Sequence, residues 1–138
     1  MADFMFDKAL QKFASAQIDW LSDVIKFAAV NKSAGGGWTP SQTTDEFLSI
    51  IPGAGIIARS LALASKTNTG GVCDAADFVF TSVTGAVIQC LVLYKDTGVD
   101  ATSPILAHID SYLAIPYTPT GADIPVALPN NVNKIFKI

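Results

Sequence analysis

Six runs in this chain have the length of a β-strand, and none of the intervals between them is long enough to hold a crossover helix. They are IIARSLAL (56–63), VCDAADFVF (72–80), AVIQCLVLYK (86–95), PILAHID (104–110), ADIPVAL (122–128) and NKIFKI (133–138), separated by clusters of Gly, Pro, Asn, Asp and Thr. Parallel strands need crossover connections of a dozen or more residues, usually helical. The pattern therefore predicts a mainly β chain, an antiparallel β-sandwich or jelly-roll-like fold with one or two short helices. At 138 residues there is matter for one core, so residues 1–138 are read as a single domain.

The first part of the chain is less uniform. In DKALQKFASAQ and the residue before it, Phe6, Leu10 and Phe13 recur at helical spacing, with Asp3 or Asp7 as the expected N-cap. From Ile18 the texture changes, and the alternation in IDWLSDVIKFAAV predicts a strand over about 22–30. NKSAGGGWTPSQ (31–42) holds three consecutive glycines and a proline and reads as a surface loop. Thr43 precedes Glu46 by the spacing of a capping box, so TDEFLSII (44–51) is expected to form a short helix stopped by Pro52 and Gly53.

Composition narrows the possible partners. Hydrophobic residues make up 50% of the chain and charged ones 15%, more apolar matter than a small monomer needs to hide, so part of it is expected in an interface. Gln89, Arg59, Pro52 and several glycines interrupt every candidate for the roughly 18 apolar residues of a membrane-spanning helix. The acidic start, MADFMFDKAL, does not resemble a secretory signal, and maturation in a reducing cytosol is expected. Net charge is −3 and the lysines are scattered singly, which argues against a nucleic-acid surface and for a protein partner. Cys73 and Cys90 lack C-x-x-C spacing and there is one histidine, so no zinc site is expected and both thiols are read as free and buried.

Three short motifs invite a catalytic or cofactor reading. Asp96-Thr97-Gly98 spells the triplet of aspartic proteases, whose dimeric forms pair two such carboxylates. Those proteases bury the dyad with two apolar residues before the Asp and a small residue after the Gly. Here Tyr94-Lys95 precede and Val99-Asp100 follow, so the triplet is read as a turn in which Asp bonds its own backbone and Gly takes positive φ. GAGIIA (53–58) matches the dinucleotide pattern, with Asp74 about twenty residues on, but that pattern requires a strand before it and a helix after it. Here a helix and Pro52 are expected before it and a strand after it. His108 in LAHID shares a strand face with Leu106 and Asp110, and without a nucleophile signature it is read as structural. No catalytic residue, cofactor or metal is assigned.

The segment GVCDAADFVFTSVTGAVIQCLVLYKDTGVDATSPILAHID, followed by YTPTGADIPVALPNNVNKIFKI, resembles the capsid cement or decoration proteins of tailed bacteriophages. The resemblance rests on DAAD before an aromatic strand, LVLYKDTG, AHID, TPTGADI and the terminal NKIFKI, and it spans 71–138. It extends more loosely to IDWLSDVIKFAAV and DEFLSII. Pro125 and Pro129 interrupt a stretch that relatives keep as an unbroken strand, and NNVNK replaces a tighter turn. The resemblance implies a non-enzymatic virion protein on the outer capsid surface, made in the host bacterial cytoplasm. It also implies binding to the phage major capsid protein as a homo-oligomer, a dimer or a trimer. Phe4, Phe6 and Trp38, in the N-terminal FMF and the 31–42 loop, look exposed and are the candidate contact residues, the equal alternative being that all three cap their own core. The competing reading is a β-sandwich binding module of a tail or receptor-binding appendage that recognises glycans through exposed Trp or Tyr.

Overall fold

A computed structural model describes residues 3–130, 132 and 134–138. The chain is mainly β and every strand pairing is antiparallel, as the run lengths predict. Among the described residues one α-helix, α1 (Asp7–Ala14), accompanies ten strands. They are β1 (Phe4–Met5), β2 (Ile25–Val30), β3 (Ile56–Arg59), β4 (Thr67–Thr69), β5 (Val72–Asp74), β6 (Phe78–Phe80), β7 (Cys90–Lys95), β8 (Ile105–Ile109), β9 (Ile124–Val126) and β10 (Phe136–Lys137). The main sheet has the order β1-β8-β7-β2-β3, with a three-stranded sheet β10-β5-β4 and a two-stranded sheet β6-β9 beside it.

Two adjacent rows across the main sheet define its faces. Phe4, His108, Val92, Ala28 and Arg59 are successive cross-strand partners on one face. Met5, Ala107, Leu93 and Phe27 form the next row, whose side chains point the other way. The interior members of both rows are buried, so the sheet is covered on both sides. On the second face Phe27 stacks on Phe78 of β6 at 5.1 Å and meets Tyr112 edge-on at 6.1 Å. This gives a sandwich-like layering. Trp20 and Phe13 pack on Phe136 of β10 at 5.2 and 5.8 Å, tying the three-stranded sheet to the end of the helix.

The first face is covered by chain that was expected to be an open loop. Asn31 holds its start: its amide donates to the Val87 carbonyl at 2.8 Å, and its Oδ1 accepts from the backbone of Ser33 and Ala34. Gly35 has φ +65°, and a Cβ there would lie 2.7 Å from the Pro52 side chain, so the turn closes directly on the 53–55 region. Trp38 then enters the core with its ring 6.4 Å from that of His108.

Several local expectations are corrected. The capping-box helix over 44–51 does not form: only Leu48–Ile50 makes a 3₁₀ turn. The backbone there is committed to Pro104 and its neighbours, since Phe47 bridges Pro104, Leu48 N–H donates to Ser103 O, and Ile105 N–H donates to Glu46 O. Glu46 turns to Lys12 at 2.7 Å instead of capping anything. Long-range pairing wins over a four-residue signature because it satisfies more main-chain groups. At the start of α1 the N-cap is Phe6, with no side-chain cap bond. Asp7 lies in the first turn, and Asp3 accepts from the Asp110 and Ser111 backbone. The strand expected from 22 begins at Ile25, because Asp19 Oδ1 accepts from Leu21 and Ser22 and folds that stretch into a turn. Pro125 sits in β9, whose one partner is β6, where an edge position tolerates the missing donor.

Candidate functional site

The residues that looked most exposed in sequence are not. Phe6 is fully buried and Trp38 is 7% exposed, and Phe4 is half-buried, stacked on His108 at 5.0 Å with nearly parallel rings. Phe4 belongs to the first row of the main sheet and meets Phe6 at 5.1 Å, while Trp38 packs near His108 of the same row. The correction has a physical cause in each case. Phe6 N–H donates to Leu106 O and so draws its ring inward. The Trp38 indole N–H donates to Asp45 Oδ2 at 3.0 Å, and that oxygen also accepts from Ser41 N–H at 2.8 Å. A carboxylate held by a turn gives the indole a buried partner, which an aromatic in a glycine-rich stretch does not advertise.

His108 is wholly buried between Phe4 and Trp38, the position of a packed core ring. Cys73 and Cys90 are free and buried; burial pushes their thiols up to about 11 and about 12, so both stay protonated and unreactive at neutral pH. GAGIIA runs from a 3₁₀ turn into β3, so no helix N-terminus is there to receive a phosphate. Among the described residues no group of three His, Cys, Asp or Glu is placed to hold a metal, and no helix is long and apolar enough to cross a membrane.

Asp96 is the turn former the local chemistry predicts. Its Oδ1 accepts from Gly98 N–H at 2.8 Å, Gly98 has φ +89°, and its Oδ2 pairs with Lys26 Nζ at 2.6 Å. Beside it Arg59 forms a fork with both Asp100 oxygens at 2.9 and 2.8 Å and lies over the Tyr94 ring. The Lys26 ammonium, and then the Gly98 N–H, hold the Asp96 carboxyl below the usual carboxylate range, while Asp96 raises Lys26.

A depressed acid contributes stability above its unfolded pKa and loses it as pH falls through the folded value. A raised base contributes below its unfolded pKa and loses it as pH climbs through the folded value. Asp96→Asn is therefore expected to destabilise the protein at neutral pH, with the difference shrinking to nothing in acid, as read by urea unfolding at a series of pH values. A gap that persists after the carboxylates protonate would show that the Asn change acts through the turn and not through the charge pair.

What the surface offers is apolar side chains in turns and beside strand ends. Leu61 is 85% exposed, Leu21, Val99, Val132 and Ile138 are each more than half exposed, and Val79 is nearly so. Leu61 and Val79 line one groove of about 380 Å³ between the free edge of β3 and the 79–84 segment, with Ile57, Thr81, Ser82 and Thr84 around it. The sequence expectations missed this groove. The run IIARSLAL is plain in the sequence, but a run alone does not reveal which strand ends a sheet.

No protein-family model matches the chain, and no curated protein matches it.

Proposed function

We propose that this is a structural virion protein of the tailed-phage cement class, binding the outside of an assembled capsid lattice and bridging neighbouring capsomers. The observation that carries the reading is an inversion of what a reactive site requires: His108 and both thiols are sealed in the core, while large apolar side chains such as Leu61 and Val132 stand exposed. Exposed apolar surface suits protein contact. The resemblance adds to it, because the segments on which it rests are consecutive parts of the framework: LVLYKDTG is β7 with its turn, AHID lies in β8, TPTGADI leads into β9 and NKIFKI holds β10. A cement subunit adds buried area that must be broken before capsomers separate. An interface of standard size buries about 1,600 Å², and simultaneous contact with several capsomers raises the effective affinity further.

The glycan-reading alternative draws no support from the aromatic residues. Trp20, Trp38, Tyr94 and Tyr112 are buried and Tyr117 alone of the five Trp and Tyr residues is partly exposed, so they form no cluster of stacking rings at the surface. The expected result for the proposal is that purified protein co-sediments with capsids lacking it, saturating at a fixed ratio to the major capsid protein, and that cryo-EM of complete particles places it on the shell. Density on the tail, or failure to saturate capsids, would sink the reading. Deleting 34–38 would not test it, because Gly35 and Trp38 are built into the core cover and the deletion would unfold that face.

A further inference from the structure

At the end of the main sheet where Ile25 of β2 pairs with Lys95 of β7, apolar side chains from three separate parts of the chain come together in solvent. They are Val24, Ile50 and Val99, between 45% and 57% exposed. Asp96 N–H donates to Val24 O at 2.8 Å, which sets Val24 against the start of the 96–99 turn. Beyond that turn Leu48 N–H donates to Ser103 O, and the short 3₁₀ turns Leu48–Ile50 and Asp100–Thr102 pack side by side. Main-chain bonds therefore hold the three segments next to one another.

Val99 is the least expected of them, because turns favour Gly, Pro, Asn, Asp and Ser. Polar groups hold this turn, and the valine side chain does not. The hydroxyl oxygens of Thr97, Thr102 and Ser103 lie 3.1, 3.2 and 2.8 Å from Val99 O, and Asp96 Oδ1 accepts from Gly98 N–H. A side chain presented in one fixed geometry loses little freedom on association. The charges around the patch are already neutralised: Lys26 pairs with Asp96 at 2.6 Å, Arg59 with both Asp100 oxygens, and Lys95 with Asp23 at 3.0 Å. Each pair sums to zero, so a charged partner finds no field here to complement. The surface that fits is uncharged and apolar.

We propose that this end of the main sheet is the face that docks on the capsid lattice, with Val24, Ile50 and Val99 seated on an uncharged apolar surface of the major capsid protein. This rests on the cement function proposed above and adds to it the face, the residues and the chemistry of the partner surface. The groove beside β3 suits such a contact less well. Thr81, Ser82, Thr84 and Arg59 line it together with Leu61 and Val79, and a dry contact there would have to desolvate those polar groups.

Binding to capsids that lack the protein, measured by co-sedimentation, tests the face. The double variant Ile50→Gln, Val99→Gln is expected to raise the dissociation constant at least about tenfold, with an unchanged melting curve because both positions are exposed. Should the double variant melt early, Val99→Gln alone is expected to raise the constant about threefold. Leu61→Gln, more exposed but outside the patch, is expected to bind like the wild type. Raising NaCl from about 50 to about 500 mM, which screens charge contacts, is expected not to weaken wild-type binding. Sedimentation velocity of the free variants is expected to match that of the wild type. Wild-type protein that fails to bind capsids would sink the cement function itself. Wild-type binding that the glutamines at 50 and 99 leave intact, that Leu61→Gln abolishes, or that salt weakens would overturn the face and leave the cement function standing. A change in the oligomeric state of the free variants would assign the patch to a second copy and overturn the face as well.

Discussion

Trp38→Ala is expected to lower the folding stability of the free protein by about 3–5 kcal/mol, the usual range for removing a large buried aromatic. The indole fills the space above His108 and is 7% exposed. Its removal opens a cavity over the first face of the main sheet and strips a donor from Asp45, itself 8% exposed, leaving Ser41 N–H on that oxygen. Two effects then add: lost packing and a partly unsatisfied buried carboxylate. Trp38→Phe separates them, since it keeps most of the packing and loses the N–H, and about 1–3 kcal/mol is expected for that change alone. Urea unfolding monitored by far-UV circular dichroism reads both. An unchanged midpoint for Trp38→Ala combined with lost capsid binding would mean that the indole serves a partner and not the fold.

The second large effect is expected at Phe27, where alanine should again cost about 3–5 kcal/mol. Phe27 is fully buried, stacks on Phe78 at an interplanar angle of 9° and touches Tyr112 edge-on, so it is the main aromatic link between the five-stranded and two-stranded sheets. Phe27→Leu should recover much of the loss by refilling the volume without the ring contacts. Hydrogen exchange gives a sharper readout than global stability. Amides of β6 and β9 should lose protection before those of β7 and β8, because β7 keeps strand partners on both sides. Uniform loss across all strands would show that the sheets unfold as one unit and that the Phe27 stack is not the hinge between them.

Strand texture was legible because it is local. The six apolar runs each contain a strand, and the Asp96-Thr97-Gly98 turn follows from the chemistry of two residues. Whatever depends on distant partners was not. Thr43 and Glu46 spell a helix start, yet Phe47 and Leu48 find Pro104 and Ser103, and no local window contains that competition. Trp38 looks exposed beside three glycines until Asp45 folds back to receive its N–H. The β3 edge is the clearest case. Its residues are plain in the sequence, but being last in the order β1-β8-β7-β2-β3 is a property of the whole chain.

That order also has a kinetic meaning. Phe4 pairs with His108, and β2 finds its long partner in β7, so the strands made first in synthesis wait for strands made much later. Closing such distant pairs precedes most of the stabilising contacts, which makes folding slow for a chain of this length. During that wait the apolar β2 run, IKFAAV, has only β3 beside it. Conditions that slow the arrival of 90–109 should therefore favour aggregation, and the yield of soluble protein should depend more on expression temperature than its equilibrium stability would suggest.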